Sequence, residues 1–296
     1  MERVGNLQHQ DLARISGTTR AVALLGYPVA HSLSPAMHNA AFAAAGLDYC
    51  YLALEVRPED IQAALKGLRA LNFAGINVTV PHKEAVLPLL DDLTEEARAI
   101  GAVNTAANRN GRWVGTNTDA AGFRKLLELN GLSQNDMKAV VLGAGGAARA
   151  ALYVLARLAR EVALFNRTPA RAEGLLQALE PYRAGCRWKA LPLQREPLEQ
   201  QLQDADLLVN TTSVGMHPKE GECPLPVGVE IPANCSVVDL IYKPPKTRLL
   251  RLAERCGAKA VNGDTMLLYQ AVEAFRFWTG AEPNVQVMEQ RLHRSP

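Results

Sequence analysis

Lys83 and Asp119 are the side chains in this sequence best suited to move a proton. Lys83 closes the run Asn77-Val78-Thr79-Val80-Pro81-His82-Lys83, and Asp119 closes Asn117-Thr118-Asp119. Ile76, Val78 and Val80 alternate with polar Asn77 and Thr79, which predicts a short strand; Pro81, with no N–H to donate to a ladder, ends it. The next residues, 82–87, are predicted to open a helix with Lys83 in its first turn, where the ammonium form is disfavoured. Asp119 leads into a predicted helix over 120–129, a position at which a carboxylate is stabilised and at which simple capping also explains an aspartate. Ser32 and Ser34 flank Leu33 ahead of Pro35, so their hydroxyls lie beside the unpaired N–H groups of a helix start, a cradle for a carboxylate or a phosphate. Ser34 reads equally well as an N-cap with Pro35 at the first helical position; Ser32 has no such duty.

A second chemical feature begins at Lys138. The apolar strand Ala139-Val140-Val141-Leu142 runs into Gly143-Ala144-Gly145-Gly146-Ala147-Ala148 and a predicted helix over 149–158, the G-x-G-x-x-A order of a dinucleotide turn. Gly143 permits the tight turn, Gly145 lets the backbone approach a pyrophosphate, and the small Ala148 lets the helix pack near the strand. The next predicted strand, 161–165, ends at Asn166-Arg167-Thr168, with Arg171 one turn on and no acidic residue to bind a ribose 2′-hydroxyl. Arginines suit a 2′-phosphate, each charge-assisted bond contributing about 1.5–3 kcal/mol, which predicts NADP rather than NAD.

The elements that must position these residues read as two units. Strands are predicted at 20–26, 49–56 and 76–80, with helices at 36–45 and 58–70 between them. Asp92-Leu93-Thr94-Glu95 has capping-box spacing and is expected to start a helix ending near Gly101. The segments 102–106 and 112–115, joined by Asn108-Arg109-Asn110-Gly111, form a predicted hairpin. After the dinucleotide turn, further strands are expected at 205–210, 236–241 and 258–261, then helices Asp264–Thr279, with Met266 and Gln270 on one face, and Val285–Arg294. No strand follows the second series, so the last two helices are expected to return to the first unit. The predicted fold is α/β with two domains: a polar tail 1–19, a substrate and catalytic domain 20–119 with 264–296 built on a mostly parallel sheet, and a Rossmann-type doubly wound NADP domain 120–263.

The composition sets the outer bounds. The 296-residue length favours two cores over one. Thirty-two basic against thirty acidic residues leave a net charge of +2, too small a field to argue for nucleic acid or an anionic membrane. The five cysteines contain no C-x-x-C pair and suit a reducing cytoplasm. No run of eighteen apolar residues predicts a membrane span, the first twenty residues have no signal-peptide pattern, and the six histidines show no metal spacing.

With Ser32-Leu33-Ser34-Pro35, Asn77 to Lys83, Gly101-Ala102-Val103-Asn104-Thr105, Asn117-Thr118-Asp119, Gly143 to Ala147, Asn166-Arg167-Thr168 and Gln270 in one order, the chain resembles the shikimate dehydrogenase family from about residue 20 onward. The resemblance implies reversible oxidation of shikimate to 3-dehydroshikimate with NADP. It assigns Lys83 as acid/base beside Asp119, the two titrating as a coupled pair. It places Ser32, Ser34 and Tyr242 at the substrate carboxylate, and Asn77, Thr79, Asn104, Asp119 and Gln270 at the ring hydroxyls. Gly143, Ala144, Gly145, Gly146, Ala147, Asn166, Arg167, Thr168, Arg171, Leu240 and Gly263 would line the NADP site. Glu95 is carried over with them, although the capping box already explains it, and the family often has methionine where Leu240 stands. The expected partner is a small-molecule substrate, with no nucleic acid, no membrane and no metal, and with a homodimer as the candidate assembly.

Competing readings are a quinate or dual quinate/shikimate dehydrogenase, a catalytically silent shikimate-binding regulator, and a reductase or folate dehydrogenase of the same two-domain plan. Arg167 and the serine pair weigh against the first. Retention of Lys83 and Asp119 weighs against the second, and Ser32, Ser34 and Gln270 are left unexplained by the third.

Overall fold

The computed structural model describes residues 15–294, so residues 1–14 of the expected tail lie outside the described residues. Its first part runs β1 (Arg20–Gly26), α1 (Ser34–Ala44), β2 (Tyr49–Glu55), α2 (Ile61–Ala70), β3 (Gly75–Val78), β4 (Asp92–Leu93), α3 (Glu95–Ile100), β5 (Thr105–Arg109), β6 (Arg112–Thr116) and α4 (Asp119–Leu129). The second part comprises β7 (Met137–Leu142), α5 (Gly146–Leu155), β8 (Ala159–Asn166), α6 (Pro169–Leu179), β9 (Arg187–Pro192), α7 (Arg195–Leu202), β10 (Leu207–Asn210), β11 (Ser236–Asp239), α8 (Arg248–Arg255) and β12 (Ala260–Val261), followed by α9 (Asp264–Thr279) and α10 (Val285–Arg294).

The first sheet has the order β2-β1-β3-β5-β6-β4. β1 pairs in parallel with β2 and β3, whereas β3/β5 and β5/β6 are antiparallel, the second of these being the expected hairpin. Asn110 and Gly111 at its tip have φ of 56° and 82°, the pair of positive values that a tight two-residue turn requires. β1 is an unbroken apolar run because both its faces are covered. Val22 and Leu24 pack in one cluster with Met37 and Phe42 of α1, Phe275 of α9 and Leu292 of α10, while Ala23 and Leu25 pack with Leu65 and Leu68 of α2. The last two helices thus complete the first core, as expected from the absence of any later strand. Trp278 of α9 lies where a Gly75 side chain would be and donates its indole N–H to the Ala106 carbonyl at 3.0 Å.

The second sheet is parallel throughout, in the order β12-β11-β10-β7-β8-β9, the doubly wound pattern with its switch point between β7 and β10. Alternate residues of β7 enter separate cores, Ala139 and Val141 on one face and Val140 and Leu142 on the other.

Several local expectations are corrected. Residues 82–87 do not form an α-helix: Val86 N–H reaches the His82 carbonyl at 3.0 Å, but Leu87 N–H turns to the Glu84 carbonyl at 3.2 Å, and the Lys83 carbonyl accepts from Val103 N–H at 2.8 Å instead. The segment closes in a short 3₁₀ turn, Leu87–Leu89. The strand before it stops at Val78. Ser34 is the first residue of α1 rather than its cap, and the Ser32 hydroxyl accepts from its N–H at 3.2 Å. Asp92 does not cap α3; Thr94 does, accepting from Ala97 N–H at 3.2 Å. α5 begins at Gly146, three residues before the expected start, and ends at Leu155. Strands β4 and β9 were not expected: β4 has two residues, and β9 is an edge strand with no fully buried residue and hence no apolar run.

Candidate active site

A cleft of about 270 Å³ opens where strand ends of the two sheets face one another, and its walls come from both parts of the chain. Ser32, Ser34, Asn77, Thr79, Lys83, Asn104 and Asp119 contribute from the first part, and Ala147, Leu240, Tyr242, Gly263 and Gln270 from the second part and α9. These twelve residues were all read from the sequence.

The Lys83 Nζ donates to Asp119 Oδ2 at 2.5 Å, with both side chains largely buried. The other carboxylate oxygen, Oδ1, accepts from Asn104 Nδ2 at 2.9 Å. Asp119 is held at the start of α4 by Asn117, whose Oδ1 accepts from the N–H groups of Asp119 and Ala120, so Asn117 rather than Asp119 satisfies the helix end. Asn104 also accepts from Thr118 N–H at 2.7 Å and lies 3.4 Å from Gln270 Oε1. Gln270 comes so near because α4 and α9 cross at Gly122, where a side chain would strike the Met266 carbonyl.

Asn77, at the end of β3, is equally committed. Its Oδ1 accepts from Tyr51 Oη at 2.7 Å, and its Nδ2 donates to the Asn104 carbonyl at 3.0 Å and to Thr105 Oγ1 at 2.8 Å. Burial pushes the phenols of Tyr51 and Tyr242 up, which keeps both as neutral donors. Beneath Tyr51 lies His38, fully buried, stacked on the phenol ring at 4.5 Å, with neither ring nitrogen hydrogen-bonded to the protein. Burial lowers its pKa to about 3.

Sequence reading assigned no role to Tyr51, Thr105 and Thr118, which orient the site, or to Lys243, His31 and His217, which line its mouth. Thr105, Thr118 and Lys243 stand beside residues that were singled out, a signal available in the sequence; Tyr51 is 26 residues from Asn77 and only the pairing of β1 with both β2 and β3 connects them. Asp239 was also overlooked. Its buried carboxylate accepts from Thr247 Oγ1 at 2.6 Å, Asn210 Nδ2 at 2.9 Å and Ile241 N–H at 3.2 Å, and burial raises its pKa to about 6. It ties together the loops that carry Met216 and Tyr242 over the cleft.

The dinucleotide turn lies alongside. Gly143 has φ of +103°, and a side chain there would meet Thr211 and Thr212. The α5 N-terminus has no side-chain cap and no acidic residue in its first turn, and the space beside Gly145 is open, as a pyrophosphate cradle requires. Arg167, Thr168 and Arg171 are exposed beyond β8, and Asn166 Nδ2 donates to the Thr168 carbonyl at 2.8 Å. Gly143, Ala144, Gly145, Gly146 and the residues beyond β8 do not line the cleft itself, and Glu95, exposed at the start of α3, is likewise outside its lining. Among the described residues, no group of three or more His, Cys, Asp or Glu side chains could hold a metal ion, and no helix is long and apolar enough to cross a membrane.

Comparison with known proteins identifies relatives along most of the chain. The shikimate dehydrogenase substrate binding domain profile matches residues 24–106, and the shikimate 5′-dehydrogenase C-terminal domain profile matches residues 265–293. A shikimate dehydrogenase (NADP(+)) from Methanopyrus kandleri is 48% identical over 280 residues, covering 94% of this chain and 96% of the relative. Among solved structures, shikimate 5-dehydrogenase from Thermus thermophilus in complex with NADP(H) and shikimate is 42% identical with a TM-score of 0.80, covering 93% of this chain and 99% of that one. Quinate dehydrogenase from Corynebacterium glutamicum in complex with NAD shares the fold at 30% identity and a TM-score of 0.83, over 94% and 99% of the two chains. Matched along nearly its whole length by such relatives, and carrying the Lys83–Asp119 cleft beside a dinucleotide turn, this chain belongs to the shikimate dehydrogenase family.

Proposed function

We propose that the protein catalyses the reversible, NADP-dependent oxidation of shikimate to 3-dehydroshikimate, and the observation that carries this reading is the Lys83–Asp119 pair in the cleft between the two sheets. An alcohol carbon releases hydride only as its hydroxyl proton is taken, so a positioned base is needed and typically contributes about 10²–10⁴-fold. In oxidation, the Lys83 amine takes the hydroxyl proton, and Asp119 stabilises the ammonium that results. In reduction, the same ammonium returns the proton to the carbonyl oxygen. Asn104 keeps Asp119 in place for both directions, its amide N–H occupying the carboxylate oxygen that Lys83 does not use.

NADP, when bound, supplies the hydride acceptor. Gly143 to Ala147 and the start of α5 would hold its pyrophosphate, and Arg167 and Arg171 its 2′-phosphate. Ser32, Ser34 and Tyr242 would bind the substrate carboxylate, with Lys243 beside them as a complementary charge. Asn77, Thr79, Asn104 and Gln270 line the remaining wall, where ring hydroxyls would lie. The domain division at 120 and 264 belongs to the same proposal, with α4 and α9 crossing between the two units. A reducing cytoplasm suits the five free thiols.

The test is absorbance at the reduced-nicotinamide band with shikimate and quinate each paired with NADP and NAD. Turnover is expected to be fastest with shikimate and NADP. Absence of turnover with every pair refutes the enzyme assignment, and a preference for quinate or NAD supports the dehydrogenase alternative.

A further inference from the structure

Arg149 joins three elements next to the site, and none of the roles assigned above uses it. It lies on the first turn of α5, directly after the dinucleotide motif. Its Nη2 donates to Glu84 Oε2 at 3.0 Å, and its Nη1 reaches the Ile100 carbonyl at 3.5 Å, at the C-terminal end of α3. That guanidinium nitrogen would be 3.0 Å from any side chain at Gly101, whose φ of +69° closes α3. The Arg149 side chain is 17% exposed, and its Nε is buried with no hydrogen-bond partner, so a cation is held here by acceptors on one edge only.

Glu84 is the residue after Lys83. The Lys83 side chain lies across Gly146, the first residue of α5, where an added methyl would be 3.0 Å from both its Cβ and Cδ. The Lys83 carbonyl is fixed by Val103 N–H. The residue bearing the acid/base amine is therefore pinned on one side to the segment that leads into β5, and its neighbour is tied to the helix whose N-terminus borders the dinucleotide turn. Because residues 82–87 form no α-helix, no continuous hydrogen-bond ladder holds this segment in place.

From this junction we infer that Arg149 is a positioning residue: with Glu84 it clamps the Lys83 segment to α5 and so sets the Lys83 amine against the cofactor turn Gly143–Ala147. The inference rests on the reading of Lys83 as acid/base. Lysine would not substitute fully, since a point charge cannot address Glu84 and the Ile100 carbonyl with one planar fork. A misplacement of about 1 Å at a reacting centre can cost up to about 10²-fold, so the loss belongs in the chemical step.

The experiment uses the intact protein with Arg149→Met, Arg149→Lys, Glu84→Gln and the Met/Gln double variant, and Lys83→Ala as control. It measures kcat, KM for shikimate, melting temperature, and the primary isotope effect on kcat with shikimate deuterated at the carbon that is oxidised. Arg149→Met is expected to lower kcat on the order of tenfold, with KM changed by less than about threefold and a raised isotope effect as hydride transfer becomes limiting. Glu84→Gln should lose a similar amount, the double variant no more than the worse single, and Arg149→Lys should recover part of the loss. A lower melting temperature with unchanged kcat and isotope effect makes Arg149 a mere brace and overturns the inference, as do losses that multiply in the double variant. If Lys83→Ala keeps parental turnover, the acid/base reading falls and this inference with it; if Lys83→Ala is inactive while Arg149→Met retains full kcat, only this inference falls. Should Arg149→Met fail to fold, Glu84→Gln, whose side chain is partly in solvent, decides by the same readouts.

Discussion

The amine of Lys83 and the carboxylate of Asp119 meet at 2.5 Å from segments 36 residues apart, one in a loop after β3 and the other at the start of α4. The pair places a removable proton in the cleft with its counter-charge attached. Asn104 holds the carboxylate, and the lysine stem packs across Gly146.

Lys83→Ala is therefore expected to lower kcat by at least about a hundredfold while KM for shikimate changes little, because the serines, amides and Tyr242 that would bind the ligand stay in place. Steady-state absorbance kinetics provide the check. Activity within a few-fold of the parent would remove the lysine from the mechanism.

Arg167 stands exposed just past the end of β8, where no acidic side chain competes for a ribose. Arg167→Ala is expected to reduce the preference for NADP over NAD at least about tenfold in kcat/KM, the equivalent of losing one charge-assisted bond. An unchanged cofactor ratio would show that the phosphate is read elsewhere.

His38 makes a pH-dependent contribution that can be isolated. Its pKa in the folded protein, about 3, lies below the ordinary value of 6.5, so the unfolded chain binds the extra proton first. Stability from this group is complete above pH 6.5 and is lost as pH falls from 6.5 toward 3. Phenylalanine can fill the same place beside Phe42, Tyr51 and Trp278 without losing a protein hydrogen bond. His38→Phe should match the parent near neutral pH and gain on it by about 3 kcal/mol at pH 4.5, measured by urea unfolding. Parallel stability curves for the two proteins would refute this.

What the sequence made legible was what depends on local spacing. α9 and α10 start and stop where the periodicity and caps place them, and the strand-turn-helix context of Gly143 to Ala148 appears as read. Most residues of the cleft were found through the order of motifs that the chain shares with the shikimate dehydrogenase family, while Ser34 and Asp119 also stand at helix starts. The helix expected after Pro81 is replaced by a tighter turn in which Leu87 N–H bonds Glu84 while the Lys83 carbonyl pairs with the distant Val103 N–H, and nothing in residues 82–87 signals that partner. Strand β9 escaped because an edge strand covered on few sides needs no apolar run. Tyr51 and Arg149 act through contacts across 26 and 65 residues, which no local pattern encodes.

The return of α9 and α10 to the first sheet also sets an order of assembly. Every strand of the second sheet lies within residues 137–261, so all its pairings can form as soon as that stretch leaves the ribosome. The first sheet is made earlier, yet Val22, Leu24 and Phe42 have no complete cover until Phe275 and Leu292 have been synthesised. During translation the older half of the protein waits, with apolar surface exposed, for the newer half to finish; truncation just after β12 should leave the nucleotide half ordered and the substrate half dependent on chaperones.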